Sequence, residues 1–305
     1  MEQRPYILHM FTPGKQMSPF DINMAVDAGY NVVVPYCGVT AGEITGLTQD
    51  AIFSRGPKGV KATGIFIGGR DVILAADMLD TARKAMVPPF EVSVIADPSG
   101  SYTTAAALVA CVEDQLRKAH GTDFTGKRVL ILGGTGTVGR IAGVLAAGLG
   151  ARVTLASHRD AATAERAATE TGQRFGCSLS GAGLADAALR TAALAQADVV
   201  LATAAAGVQV VSAEERAGAG GLLVAADVNA VPPEGIAGVG VMDDGKLLPE
   251  GKGVGIGALA VGNVKYQVEH RLLVAMRNAD RPLYLGFREA FDKAREIIAE
   301  KRAKA

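Results

Sequence analysis

The sequence has no tryptophan and only three cysteines, Cys37, Cys111 and Cys177, in 305 residues. These three are far apart and never form a Cys-x-x-Cys pair, so neither a disulfide framework nor a zinc site is expected. An excess of one charge is also missing. Lys+Arg and Asp+Glu stand at 31 each, which leaves no electrostatic footprint for nucleic acid or for an anionic membrane surface. No run of about 18 apolar residues occurs, so no membrane span is predicted. The opening segment, residues 1–15, lacks a basic region followed by an apolar one, so no signal peptide is predicted and a cytoplasmic location is expected. Neither His-Glu-x-x-His, Gly-x-Ser-x-Gly nor Gly-Lys-Ser/Thr is present, so hydrolysis and phosphoryl transfer have no motif, and no metal is expected.

What is present is an ordinary globular composition, 49% hydrophobic and 20% charged, long enough for one large domain or two medium ones. Apolar runs at 6–10, 31–36, 63–69 and 91–97 read as strands bounded by Gly, Pro or Asp. Between them, residues 18–29 carry Ser18 as N-cap, Pro19 at the first helical position, Asp21 at the third and Gly29 as the stop. Residues 70–86 and 100–121 show helical spacing. Strand–helix alternation of this kind predicts a parallel α/β sheet. A second α/β unit follows, with strands at 197–204 and 221–230 and helices at 161–175 and 185–196. Amphipathic helices at 265–279 and 287–305 close the chain.

The sharpest motif is Gly134-x-Gly136-x-x-Gly139, with Thr135, Thr137 and Val138 between the glycines. It follows the strand-like "RVLIL" and opens a helix, which is the context a dinucleotide loop requires. Gly134 permits the tight turn, Gly136 lets backbone approach a pyrophosphate, and Gly139 lets the helix lie close to the strand. The helix N-terminus supplies free N–H groups and positive potential. The next strand ends in Ser157-His158-Arg159, where an NAD-specific site usually carries Asp or Glu. A cation and a small hydroxyl there favour a 2′-phosphate, hence NADP, although a tip without a carboxylate also tolerates NAD; the alternative is that Arg159 is a solvated surface residue. Thr203 and Ala204, and beyond the next strand Asp227 and Asn229, fall where strand ends face a bound nucleotide; Asp227 and Asn229 could equally be turn formers.

Of the four histidines only His9, read at the end of the first strand, stands where an active-site group is expected, and a structural role suits it as well. Residues 251–267, "GKGVGIGALAVGNVKYQ", place Gly at every second position up to Gly257 and then supply Lys265. The run lacks Gly-Lys-Ser/Thr and follows no strong strand signal, so it reads as a site wall delivering Lys265 rather than as a second phosphate loop.

The strings "SPFD" (18–21), "IFIGG" (65–69), "DPSGSYTTAAA" (97–107), "GGTGTVG" (133–139), "DVNAVPPEGIAG" (227–238) and the 251–267 run resemble the methylene-tetrahydromethanopterin dehydrogenases of methylotrophs, of the NAD(P)-dependent type. The resemblance covers nearly the whole chain in order. It implies an oxidoreductase that moves a hydride from 5,10-methylene-tetrahydromethanopterin to NAD(P)+ in formaldehyde oxidation. It also implies a homo-oligomer, a small-molecule pterin partner, and two domains. These are a substrate domain, 1–104 with 270–305, whose C-terminal helices pack back on it, and a Rossmann-type doubly wound domain, 105–269. The family's pterin-contacting Asp falls on Asp21, its Thr on Thr103 or Thr104, and its active-site Lys on Lys265. The methylene carbon lies between two nitrogens, so hydride loss gives a resonance-stabilised cation and releases no proton. No general base is then required. A lysine cannot stabilise a developing cation, so Lys265 is assigned to orienting the pterin. A folate-linked methylene dehydrogenase or a dehydrogenase of shikimate type is the alternative, and the tip at 157–160 leaves NAD against NADP open.

Overall fold

The computed structural model describes residues 4–304. In chain order the strands are β1 (Ile7–Thr12), β2 (Val32–Cys37), β3 (Thr63–Ile67), β4 (Ser93–Ala96), β5 (Arg128–Leu132), β6 (Arg152–Ser157), β7 (Ser180–Gly183), β8 (Val199–Ala202), β9 (Val224–Asp227), β10 (Asp244–Leu247), β11 (Val254–Ile256) and β12 (Tyr284–Leu285). The helices are α1 (Pro19–Asp27), α2 (Ile44–Phe53), α3 (Pro57–Val60), α4 (Val72–Lys84), α5 (Ser101–His120), α6 (Thr137–Gly148), α7 (Ala161–Phe175), α8 (Ala187–Gln196), α9 (Ala213–Ala217), α10 (Ala258–Asn278) and α11 (Phe287–Ala303).

The chain forms two compact units. One takes the chain as far as Thr103 together with Tyr266–Lys293; the other takes Thr104–Lys265 and the stretch from Ala294 onward. The divisions fall inside α5, α10 and α11, so each of these helices contributes residues to both units.

The first unit holds a five-stranded sheet in the order β12-β4-β3-β1-β2, parallel throughout. Its central strand β3 is buried at all five positions, as expected for a parallel strand covered on both faces, and the alternation of polar and apolar residues is correspondingly absent. α1 begins as its residues dictate. Ser18 is the N-cap and its Oγ accepts the Asp21 N–H at 3.4 Å, with Pro19 at the first helical position. Asp71 caps α4 in the same way, accepting from the Ile73 and Leu74 N–H groups at 2.9 and 3.0 Å.

The second unit holds a seven-stranded sheet in the order β10-β11-β9-β8-β5-β6-β7, parallel except for β10 against β11. The order reverses between β5 and β8, which makes the carboxyl ends of these two strands a topological switch point. One buried cluster of the unit, including Leu130, Leu132, Val200, Ala225, Val211 and Ile236, backs these strands.

Both sheets are the α/β architecture expected, and several elements were not legible beforehand. α2, α3, α9, β7, β10 and β12 carry no period that separates them from loops, being short or polar. The glycine run at 251–257 contains strand β11, buried at all three positions and parallel to β9. The sequence reading assigned no strand to this run and began the following helix at 265. The run's backbone is a sheet member, and α10 starts at Ala258 rather than at Lys265.

Candidate functional site

The dinucleotide loop is built as its spacing predicts. β5 ends at Leu132, the loop turns through Gly133–Gly136, and α6 begins at Thr137 with Gly136 as N-cap. That cap carries no side chain, so the first-turn N–H groups of α6 are left for an anion. Two of the glycines are required by close approach. A Cβ on Gly134 would stand 2.7 Å from the Ile131 oxygen and 2.8 Å from the Leu155 Cα. One on Gly139 would meet the Gly134 Cα at 2.7 Å and the Thr203 Oγ1 at 2.8 Å. Gly136 is exposed, and its open surface is where a pyrophosphate would lie. Thr135, Thr137 and Val138 are half-buried around it. The residues present therefore fit a dinucleotide.

β6 ends in Ser157, which is buried, with His158 and Arg159 exposed beyond it. The Ser157 Oγ accepts the Arg159 N–H at 3.1 Å, fixing the tip. Asp160, the only carboxylate of the tip, is spent on α7. It accepts the Thr163 N–H at 2.6 Å and the Thr163 hydroxyl at 2.9 Å, and these bonds hold its carboxyl below the usual range. A cavity of about 340 Å³ opens here between Thr135 of the loop, Ser157, His158 and Arg159 of the tip, and residues of α6 and α7. Arg140, Arg166 and Glu170 also line it. Sequence reasoning did not find these three, because they lie on later turns of two different helices and no motif spacing links them.

At the switch point Thr203 is half-buried, and its hydroxyl donates to the Leu132 oxygen at 3.0 Å, tying the end of β8 to that of β5; Ala204 follows it. Asp227 and Asn229 hold loops in place. The Asp227 carboxylate accepts from the N–H groups of Asn229, Gly235 and Ile236 at 2.9, 2.6 and 3.1 Å, while burial outweighs these bonds and raises its pKa. Asn229 accepts from Gly207 and Val231 N–H and donates to the Pro233 oxygen. Both side chains thus shape the loops at the ends of β8 and β9 rather than standing open beside them.

In the first unit, Asp21 lies in the first turn of α1 and is 2% exposed. Asp97, just past the end of β4, is fully buried and accepts from Tyr102 N–H at 2.8 Å, Thr103 N–H at 3.2 Å and the Thr103 hydroxyl at 2.6 Å. The Thr103 hydroxyl is thereby committed to positioning the start of α5, whereas Thr104 is half-buried. Beside this network Ser99 adopts φ 54°, the one positive value at a non-glycine among the described residues, and its hydroxyl donates to the Gly69 oxygen at 2.8 Å. This strained turn sits at the carboxyl edge of β3 and β4, where α/β sheets bind ligands. The sequence reading missed Asp97 because its partners come from five and six residues further along, across a turn of unusual backbone. His9 is interior to β1, which runs on to Thr12; its Nδ1 lies 3.1 Å from the Tyr36 hydroxyl, and burial, then Arg55, lowers its pKa. Lys265, in the other unit, is half-buried in the third turn of α10.

Residues 19–99 match the family described as methylene-tetrahydromethanopterin dehydrogenase, N-terminal. Among curated proteins, the chain is 50% identical over 294 residues to an NAD(P)-dependent methylenetetrahydromethanopterin dehydrogenase of Methylorubrum extorquens, covering 95% of this chain and 98% of that one. It is 34% identical to the bifunctional protein MdtA of the same organism, over 88% of this chain and 91% of the relative. A solved structure, the ligand-free 5-ketofructose reductase of a Gluconobacter species, is similar at 18% identity and a TM-score of 0.48, over 96% and 99% of the two chains.

Proposed function

The chain belongs to the methylene-tetrahydromethanopterin dehydrogenase family, and on that premise we propose that it oxidises 5,10-methylene-tetrahydromethanopterin to the methenyl form with NAD(P)+ as acceptor. The observation that carries this reading is identity at half of the aligned positions along 95% of the chain, joined to a dinucleotide loop in which Gly134 and Gly139 leave no room for side chains. The bound nucleotide supplies a hydride acceptor at its nicotinamide ring.

The chain's own groups bind and orient. Gly134 and Gly136 with the first turn of α6 take the pyrophosphate, and Ser157, His158 and Arg159 take the adenosine ribose. The cation at the tip, with Asp160 withdrawn into its cap, favours NADP over NAD. Thr203 and Ala204, with the loops that Asp227 and Asn229 hold, border the nicotinamide end. On the substrate, Asp21 accepts from the pterin's amino and ring N–H groups, and Lys265 donates to a ring oxygen or nitrogen. Thr104 supplies a hydroxyl, while Thr103 keeps the turn in place through Asp97. No proton has to leave the reacting carbon, so none of these groups acts as a general base.

The test is spectrophotometric. Purified protein with methylene-tetrahydromethanopterin and either NADP+ or NAD+ is expected to produce reduced nucleotide, and no turnover with either overturns the proposal. Parallel arms with methylene-tetrahydrofolate and shikimate distinguish the neighbouring substrate classes. Lys265→Ala is expected to lower kcat and raise KM for the pterin about tenfold or more while nucleotide affinity stays unchanged.

A further inference from the structure

The cavity beside the tip of β6 holds more charge than the tip provides. Thr163, Arg166, Ala167 and Glu170 recur at helical spacing along one face of α7, and Arg140 enters from the first turn of α6. Between the helices the Arg140 Nη2 donates to the Glu170 Oε2 at 3.2 Å, so one guanidinium is already engaged. Arg159 and Arg166 have no carboxylate within 4.0 Å among the described residues. Asp160, which both feel electrostatically, is held by its two bonds to Thr163. The cavity therefore offers two cations without close counter-ions, a third shared with a carboxylate, and the hydroxyl of Ser157, that of Thr163 being bound to Asp160.

We propose that Arg166 and Arg140 join Arg159 in holding the 2′-phosphate of the nucleotide's adenosine ribose, and that Glu170, by engaging Arg140, moderates that hold so that the 2′-hydroxyl form is also accepted. This rests on the nucleotide-binding reading above. A phosphate dianion gains from every guanidinium that reaches it, and Arg suits the role because its planar fork matches two phosphate oxygens. The same dianion is repelled by Glu170 and must compete with it for Arg140. A neutral ribose hydroxyl feels neither effect strongly. Glu170 thus acts on one nucleotide and is close to silent for the other, and selectivity is set by an ion pair between two helices rather than by the tip alone.

The probes are adenosine 2′,5′-bisphosphate and AMP, titrated calorimetrically into the full chain, since they differ at the 2′ position alone. Glu170→Gln, a near-isosteric change at a side chain that is 55% exposed, is expected to tighten the bisphosphate about threefold to fivefold and leave AMP unchanged. Arg166→Gln is expected to weaken the bisphosphate about tenfold, again with AMP unchanged. Equal changes for both probes, or no change for either variant, overturn the proposal while leaving nucleotide binding intact. A chain that binds neither probe overturns the nucleotide reading itself.

Discussion

Asp97 shows how much one side chain can settle. Its carboxylate is fully buried and collects two backbone N–H groups and the Thr103 hydroxyl, at 2.6 to 3.2 Å. An amide can keep the two N–H groups on its oxygen, but its nitrogen then faces the Thr103 hydroxyl, which has to turn round to accept and gives up its 2.6 Å bond to the carboxylate. Asp97→Asn is expected to cost about 1–3 kcal/mol of stability, measured by denaturant titration. Thr103→Ser keeps the hydroxyl and is expected to cost about 1 kcal/mol at most, which separates the hydrogen bond from packing. The same carboxylate fixes the turn that holds Ser99 at φ 54°, so kcat for the pterin is expected to fall in Asp97→Asn more than nucleotide affinity does. Local reading identified the capping group Ser18, because a cap and its N–H lie two or three residues apart; Asp71 and Asp186 cap their helices at the same short spacing, though only the structure named them. Asp97 escaped it because a turn of non-helical backbone separates the acceptor from its donors.

At the scale of elements, the alternating glycines of β11 and its flanks have unequal reasons. A Cβ on Gly253 would stand 2.7 Å from the Leu222 oxygen, a backbone atom that cannot rotate away. On Gly255 the nearest atoms are 3.4 Å away and belong to the Leu248 and Val239 side chains, which can yield. Gly255→Ala is therefore expected to change stability by less than about 1 kcal/mol, and Gly253→Ala to destabilise by about 2 kcal/mol or more. Thermal midpoints of the two variants check the ordering; equal shifts would mean that the run is governed by flexibility rather than by backbone approach. The dinucleotide loop, by contrast, was readable from its own spacing, since Gly134, Gly136 and Gly139 each have a neighbour inside the strand–turn–helix unit itself: the Ile131 oxygen, the Gly133 oxygen and the Gly134 Cα. β11 was not readable, because alternate glycines carry no hydrophobic period. Its strand character comes from pairing with β9, thirty residues earlier in register (Val254 with Val224).

For the whole molecule, Cys37 and Cys111, one in each unit, are buried to different degrees, with Cys177 between them, and this gives a probe of unfolding. Cys37, at the end of β2 in the first unit, is exposed. Cys111, in the part of α5 that belongs to the second unit, is 6% exposed, and burial pushes its thiol up to about 12. At pH 8 an alkylating reagent is expected to modify Cys37 in the native protein, whereas Cys111 reacts only when the structure opens, because both its thiolate fraction and its access are suppressed. Mass spectrometry of the labelled chain over increasing denaturant checks this, and rapid native labelling of Cys111 would contradict the burial.

The sequence by itself determined what is decided over short distances along the chain: helix starts at Ser18 and Pro19, the strand–loop–helix around Gly134, Gly136 and Gly139, and the family to which those strings belong. Only the tertiary structure decided that Tyr284 and Leu285 return to pair with Val94 and Ile95 and complete the first sheet. It alone brought Arg140 of α6 to Glu170 of α7 beside Arg159. The physical reason is the same in each case. A cap or a tight turn is a bond between residues a few positions apart, visible as a fixed spacing. A sheet pairing or an ion pair between helices depends on where the whole chain has been folded, and two arginines on separate helices carry no sign in the sequence that they share one cavity.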